Sequence, residues 1–178
     1  YLMDEPLSSL DAKLRESLRV ELKNIQTNLN ATILYVTHDQ AEATTLADKI
    51  GVLKEGHLVQ IGTPEEIYEN PNSIYVSQRL GSPKINILPG TLLGMNDVPT
   101  FGIRPENITL GNGNHSAKII SIENLGSETV VALNFKDQEI LVSIQGNYKS
   151  SINETINFDI NNKKVLKFDQ EGNRIYER

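Results

Sequence analysis

The sequence predicts an α/β segment followed by an all-β domain of small-barrel type, and three observations carry that reading. Over roughly the first fifty residues, apolar strand-like runs alternate with a stretch in which leucines recur every three or four positions. After residue 83 the texture changes to short β-branched and aromatic runs separated by Gly, Asn, Asp and Ser. Between them stands Gly81-Ser82-Pro83, the strongest break in the chain, which places the expected domains at 1–82 and 83–178. The 178 residues contain 17 Lys+Arg and 23 Asp+Glu, a formal charge of -6, and no Cys. A disulfide framework, a thiolate metal site and a cysteine nucleophile are therefore excluded. The acidic balance argues against a nucleic-acid partner, no apolar run is long enough to cross a bilayer, and the opening residues YLMDEPLSSLD lack the order of a signal peptide.

The elements follow in order. Tyr1 to Met3 is an apolar strand end running into Asp4-Glu5-Pro6, where proline stops sheet pairing. Leu14, Leu18, Leu22, Ile25 and Leu29 form one face of an amphipathic helix beginning after Asp11. Thr32 to Val36 is a β-branched run of the kind buried on both faces of a parallel sheet, which completes a strand-helix-strand unit. Asp39 and Glu42 predict a capping box opening a short helix over 40–47. Ile50 to Leu53 and Leu58 to Ile61 read as a hairpin turning at Gly56, and Thr63-Pro64-Glu65-Glu66 as a helix start with its own cap. An amphipathic turn around Ile74, Tyr75, Val76 and Leu80 ends the first half. In the second half, strands are expected at 117–122, 129–135, 139–144, 156–160 and 165–168, and Gly102 to Glu106 as a tight corner.

An apolar strand ending in Asp-Glu carries the chemistry. At the carboxyl end of a parallel strand, Asp4 can hold Mg²⁺ while Glu5 orients or deprotonates an attacking water. Taken alone, such a pair reads first as an acidic helix-capping pair at a strand end. His38 follows the next strand of the same unit, so it emerges at the same sheet edge and can hydrogen-bond a terminal phosphate. A metal-dependent phosphohydrolase built on His38-Asp39 needs further ligands, and only His57 and His115 remain, neither at ligand spacing. The aromatics Phe101, Phe135, Tyr148, Phe158, Phe168 and Tyr176 fall at mostly core-like positions without interleaved basic residues, which speaks against a nucleic-acid-binding barrel.

Tyr1-Leu-Met-Asp-Glu-Pro6, Leu7 to Arg15, Tyr35-Val-Thr-His-Asp-Gln-Ala-Glu-Ala43 and Leu46 to Ile50 closely resemble, in order and spacing, the ATP-binding subunit of ABC transporters. The resemblance implies an incomplete P-loop NTPase-type core, with Asp4 as the Walker B magnesium partner, Glu5 as general base and His38 as γ-phosphate sensor. Ser8, Ser9 and Asp11 would belong to the D-loop at a dimer interface, Ser9 standing where many relatives have Asn. Gly62 to Tyr68, Leu80 to Gly90, Gly102 to Ile108 and Ile122 to Thr129 resemble the subgroup serving carbohydrate importers. That subgroup carries an OB-like regulatory domain called TOBE after its nucleotide-binding domain. ATP and Mg²⁺, a homodimer or paired ATPase subunit, membrane permease subunits, a regulatory protein on the β domain and a peripheral place on the cytoplasmic face of the membrane are what the resemblance implies. No G-x-x-x-x-G-K-[ST] occurs, and the Gln loop and signature segment are absent too. The segment by itself is therefore expected not to bind ATP, and residues 1–80 to be poorly stable alone. A stand-alone β module that binds a regulator or partner subunit is the alternative reading. Only ten residues separate Pro89-Gly90 from Phe101, a short spacing for this subgroup that predicts a missing or rebuilt hairpin.

Overall fold

The computed structural model describes residues 1–176. They divide into two compact units between Asn70 and Pro71.

In the first unit, β1 (Leu2–Asp4) pairs in parallel with β2 (Leu34–Val36), Asp4 lying opposite Val36. A parallel pair needs a long crossover, and α1 (Ala12–Leu29) supplies it. Asp11 caps α1 by accepting the Leu14 amide at 3.0 Å, and Asn30, left-handed at φ 49°, ends it. The helix is where the leucine spacing predicts it, but of that face Leu18 and Leu22 alone are half-buried, while Leu29 is 64% exposed. The second strand begins at Leu34 rather than Thr32, and its expected burial on both faces is not met: Leu34 is 64% exposed, because the described parallel sheet has two strands.

Next, α2 (Gln40–Leu46) starts at Asp39, whose carboxylate accepts the Ala41 and Glu42 amides. The reciprocal half of the expected capping box is missing, since the Glu42 carboxylate turns to two hydroxyls instead. The hairpin of β3 (Ile50–Lys54) and β4 (His57–Gly62) turns through Glu55 and Gly56, both at positive φ, the geometry that suits the twist of a two-residue hairpin. In α3 (Pro64–Glu69) the expected cap at Thr63 forms a complete capping box: Thr63 Oγ1 accepts the Glu66 amide and Glu66 accepts the Thr63 amide.

The second unit begins with α4 (Ile74–Ser77). Eight strands follow: β5 (Asn86–Pro89), β6 (Thr100–Ile103), β7 (Ile108–Asn124), β8 (Glu128–Phe135), β9 (Gln138–Gln145), β10 (Thr155–Ile160), β11 (Leu166–Phe168) and β12 (Arg174–Ile175). They make two four-stranded antiparallel sheets, ordered β10-β7-β8-β9 and β12-β11-β6-β5, rather than one continuous ladder. One core fills the space between the two sheets, with Leu88, Phe101 and Ile103 of one sheet among Ile119, Val131, Leu133, Ile140, Val142 and Phe158 of the other. Asn86 ties the sheets polar group to polar group: its amide nitrogen donates to Ile103 O and Leu141 O, and its oxygen accepts the Leu141 amide at 2.7 Å.

Two sequence expectations are refined here. The short spacing after Pro89 is absorbed by a 3-10 turn (Gly90–Leu93) closed by Gly90 N–H to Pro99 O, so β5 and β6 themselves form the hairpin. Residues 71–82, placed by sequence in the first half, pack with the second. Ile74 N–H donates to Gly172 O and Arg174 N–H to Asn72 O, and Ile74 packs against the Ile85, Leu166 and Phe168 cluster. The corner at Arg104 is buried, its guanidinium donating to Ser77 O and Leu80 O. A Gly-Ser-Pro break marks a turn in the chain; packing decides which core the residues before it join.

Candidate functional site

The carboxyl ends of β1 and β2 bring together residues separated by more than thirty positions in sequence. The ladder continues one step past β1, where Glu5 N–H donates to Val36 O at 2.9 Å, and this holds the Glu5 backbone against the start of the His38 loop. Glu5 takes a φ of 44°, an uncommon left-handed conformation for a side-chain-bearing residue and of the kind found at functional turns. Its Oε1 meets Nδ1 of His38 at 2.9 Å. Both side chains are accessible, His38 at 75%. The Glu5 hydrogen bond, then its charge, raises the His38 pKa from the ordinary imidazole value.

Asp4 ends β1 opposite Val36 with its side chain exposed. Among the described residues no group of three or more His, Cys, Asp and Glu is arranged to hold a metal ion. A single exposed carboxylate at a strand end nevertheless suits Mg²⁺, which takes one or two carboxylates and completes its shell with water and substrate phosphates. The Ser8 hydroxyl donates to Glu5 O at 2.9 Å, so it shapes the turn that carries Glu5, whereas Ser9 is exposed. Asp11 is occupied in capping α1. Asp4, Glu5 and His38 thus share one edge, and Ser8 to Asp11 form the turn behind it.

Sequence reasoning left out the residues that hold this edge in place. Thr37 Oγ1 donates to Glu42 at 2.6 Å and accepts the Asp39 amide at 3.0 Å, while the Tyr35 hydroxyl donates to the same Glu42 oxygen at 3.0 Å. Glu42 is 2% exposed. Burial and the Glu42 contact push the Tyr35 phenol well above its usual range. Arg15 of α1 bridges the two loops, one guanidinium nitrogen 3.2 Å from Asp39 and the other donating to Leu10 O at 3.0 Å. Burial pushes the Asp39 carboxyl up, but the Glu42 and Ala41 amides and Arg15 outweigh it and hold its pKa below the usual carboxylate range. The sequence showed Arg15 only as the end of the 7–15 string and Glu42 only as the expected capping partner of Asp39; neither reading placed them as the braces of this edge.

A family model described as the TOBE domain matches residues 101–162. Across 98% of its length the chain is similar to the sn-glycerol-3-phosphate import ATP-binding protein UgpC of Rhizobium meliloti (strain 1021), 39% identical over 194 residues covering 56% of that protein. An uncharacterized ABC transporter ATP-binding protein, y4oS of Sinorhizobium fredii, is 40% identical over 169 residues, 82% of this chain and 45% of that one. The homologues of this chain include import ATP-binding subunits of ABC transporters. The xylose/arabinose import ATP-binding protein XacK of Haloferax volcanii is another, 40% identical over 163 residues, 77% of this chain and 43% of that protein. The chain spans about half the length of the curated ABC relatives it matches. The edge at Asp4, Glu5 and His38 thus belongs to a chain whose relatives are named for binding ATP, and the TOBE match falls in the unit with two four-stranded sheets. Among the described residues, no helix is long and apolar enough to cross a membrane.

Proposed function

We propose that this chain supplies the Walker B, D-loop and switch-histidine part of an ATP-hydrolysing subunit that energises carbohydrate import by an ABC transporter, together with its OB-like TOBE regulatory domain. The single observation that carries the reading is the Glu5–His38 pair, 2.9 Å apart at the carboxyl edge of two parallel strands. In this reading Glu5 is the general base. One carboxylate oxygen holds the imidazole, leaving the other to take a proton from a water that attacks the γ-phosphate of ATP. His38, with Nδ1 engaged by Glu5, turns Nε2 toward a phosphate oxygen, and the raised pKa favours the imidazolium, which donates from both nitrogens. Asp4 is the residue that would hold Mg²⁺, whose chemistry there is to neutralise phosphate charge. Ser8, Ser9 and Asp11 lie on the turn that would face a second ATPase subunit across a dimer. Permease subunits, and a regulatory protein on the TOBE domain, complete the proposed assembly at the cytoplasmic face of the membrane.

The test is Glu5→Gln in the full-length protein. Removing a general base lowers turnover by about 10²–10⁴-fold, while ATP binding persists and a nucleotide-bound dimer accumulates. ATP turnover near wild type in this variant would falsify the assignment of Glu5. Residues 1–178 alone, which carry no phosphate-loop motif, are expected to give no Mg²⁺-dependent signal when titrated with a fluorescent ATP analogue.

A further inference from the structure

We propose that Glu42 is a positioning residue for His38, acting through the Thr37 hydroxyl; this rests on the ATPase reading above. Glu42 lies on the first turn of α2 and, unlike the exposed Glu5–His38 pair, is one of the few charged side chains buried in the described structure, at 2% exposure. A buried carboxylate is retained at a cost in desolvation unless its hydrogen bonds offset it. Its partners bracket the loop that carries His38. The hydroxyl of Tyr35, in β2, and the hydroxyl of Thr37, just past it, both converge on Oε2 of Glu42. Thr37 then passes the constraint forward, since the same hydroxyl accepts the Asp39 amide.

Both peptide neighbours of His38 are therefore fixed to the same buried point. Thr37 is held from its side chain, and Asp39 from its amide, its α2 cap and Arg15. His38 itself is 75% exposed, and among the described residues its side chain hydrogen-bonds Glu5 alone, so no other side-chain hydrogen bond restrains the ring from its own side. The position of the imidazole against Glu5 is thus set by the backbone on which it rides, and that backbone is anchored to Glu42. A shift of about 1 Å in a catalytic group lowers turnover by as much as about a hundredfold, so loosening this anchor acts on the chemical step rather than on ATP affinity.

The experiment is steady-state ATPase kinetics of the full-length protein carrying Glu42→Ala, Thr37→Val and Thr37→Ser, each alone and combined with His38→Ala. Glu42→Ala and Thr37→Val are expected to lower kcat about ten- to a hundredfold with KM for ATP changed less than about twofold, and Thr37→Ser, which keeps the hydroxyl, to stay near wild type. In the His38→Ala background, adding Glu42→Ala or Thr37→Val is expected to change kcat little, because the group they position is already gone. Equal losses in both backgrounds would overturn the proposal, as would a Thr37→Val protein with unaltered kcat. Should Glu42→Ala fail to fold, the threonine pair carries the test unaided. If His38→Ala alone leaves turnover unchanged, the ATPase assignment of His38 fails and this proposal falls with it. A large His38→Ala effect beside a silent Thr37→Val overturns this proposal alone.

Discussion

At the scale of single residues, the Glu5–His38 contact makes a pH prediction whose sign is fixed by the direction of the shift. The folded imidazole holds its proton more tightly than a free one, through the Glu5 hydrogen bond first and the Glu5 charge second. Whatever stability the pair adds is fully present below the ordinary imidazole value of 6.5 and is lost as pH rises through the raised folded value. Because the ring is largely exposed, the effect belongs to titration rather than to global stability. An imidazole NMR titration should give His38 a midpoint above 6.5, returning toward it in Glu5→Gln; an unchanged midpoint in that variant refutes the pairing. Glycines make a second prediction. A Cβ at Gly90 would sit 1.8 Å from Val98 O, and one at Gly113 2.1 Å from Phe158 O, whereas one at Gly94 meets nothing within 4 Å. Gly90→Ala and Gly113→Ala should therefore destabilise the second unit by more than about 2 kcal/mol. Gly94→Ala, strained only by its left-handed φ, should lose about 1 kcal/mol in urea denaturation.

At the scale of elements, caps and clasps decide what the periodicity leaves open. The capping box of α3 is complete, so Thr63→Ala is expected to destabilise the helix by about 1 kcal/mol, seen as a lower urea midpoint. Asn86 is more consequential, because its side chain stands in for a strand neighbour: it supplies both an acceptor and a donor to Leu141 and a donor to Ile103. Asn86→Leu would leave the Leu141 amide and two carbonyls without these partners, at a cost of about 2–4 kcal/mol. An unchanged denaturation midpoint for Asn86→Leu would show that backbone relaxation replaces the lost bonds. Neither Asn86 nor its strand β5 was singled out from the sequence. Asn is a poor strand former by propensity, and its value here comes from reaching across to a different sheet. Four of the second-half strands, by contrast, stand close to where alternation and turn residues put them, since both cues are local, whereas β7 begins nine residues before its expected start at 117.

At the scale of the molecule, the two units differ in how well each closes its own core. The second has its two sheets facing a common interior with Phe101, Phe158 and Phe168 fully buried. The first leaves Leu2 84%, Leu34 64% and Leu29 64% exposed, apolar surface of the kind that binds dyes or aggregates in isolation. A polypeptide of residues 71–178 is expected to fold cooperatively, while residues 1–82 should bind the hydrophobic dye ANS and precipitate. A version cut at residue 83 should be less stable than one cut at 71. It loses the Ile74 to Gly172 and Arg174 to Asn72 bonds and strips the buried Arg104 guanidinium of its Ser77 and Leu80 carbonyls. Hydrogen bonds to a charged group contribute about 1.5–3 kcal/mol, so the two polypeptides should differ clearly in thermal midpoint. Equal midpoints would mean that residues 71–82 add nothing to the β unit.

The sequence by itself determined what depends on neighbours along the chain. The strand-helix-strand order, the hairpin at Gly56, the Thr63 cap and the motif strings around Asp4, Glu5 and His38 follow from spacing, turn chemistry and propensity, which act over a few residues. Those strings also determined the ABC relationship, because family resemblance is carried by residue identity and not by contact. Only the tertiary structure decided that Glu42 abandons its own helix cap for the Tyr35 and Thr37 hydroxyls, that Arg15 spans two loops, and that residues 71–82 join the second unit. In each case a long polar side chain or a short apolar helix has several partners within reach. Which one it takes is set by burial, and burial is a property of the packed chain.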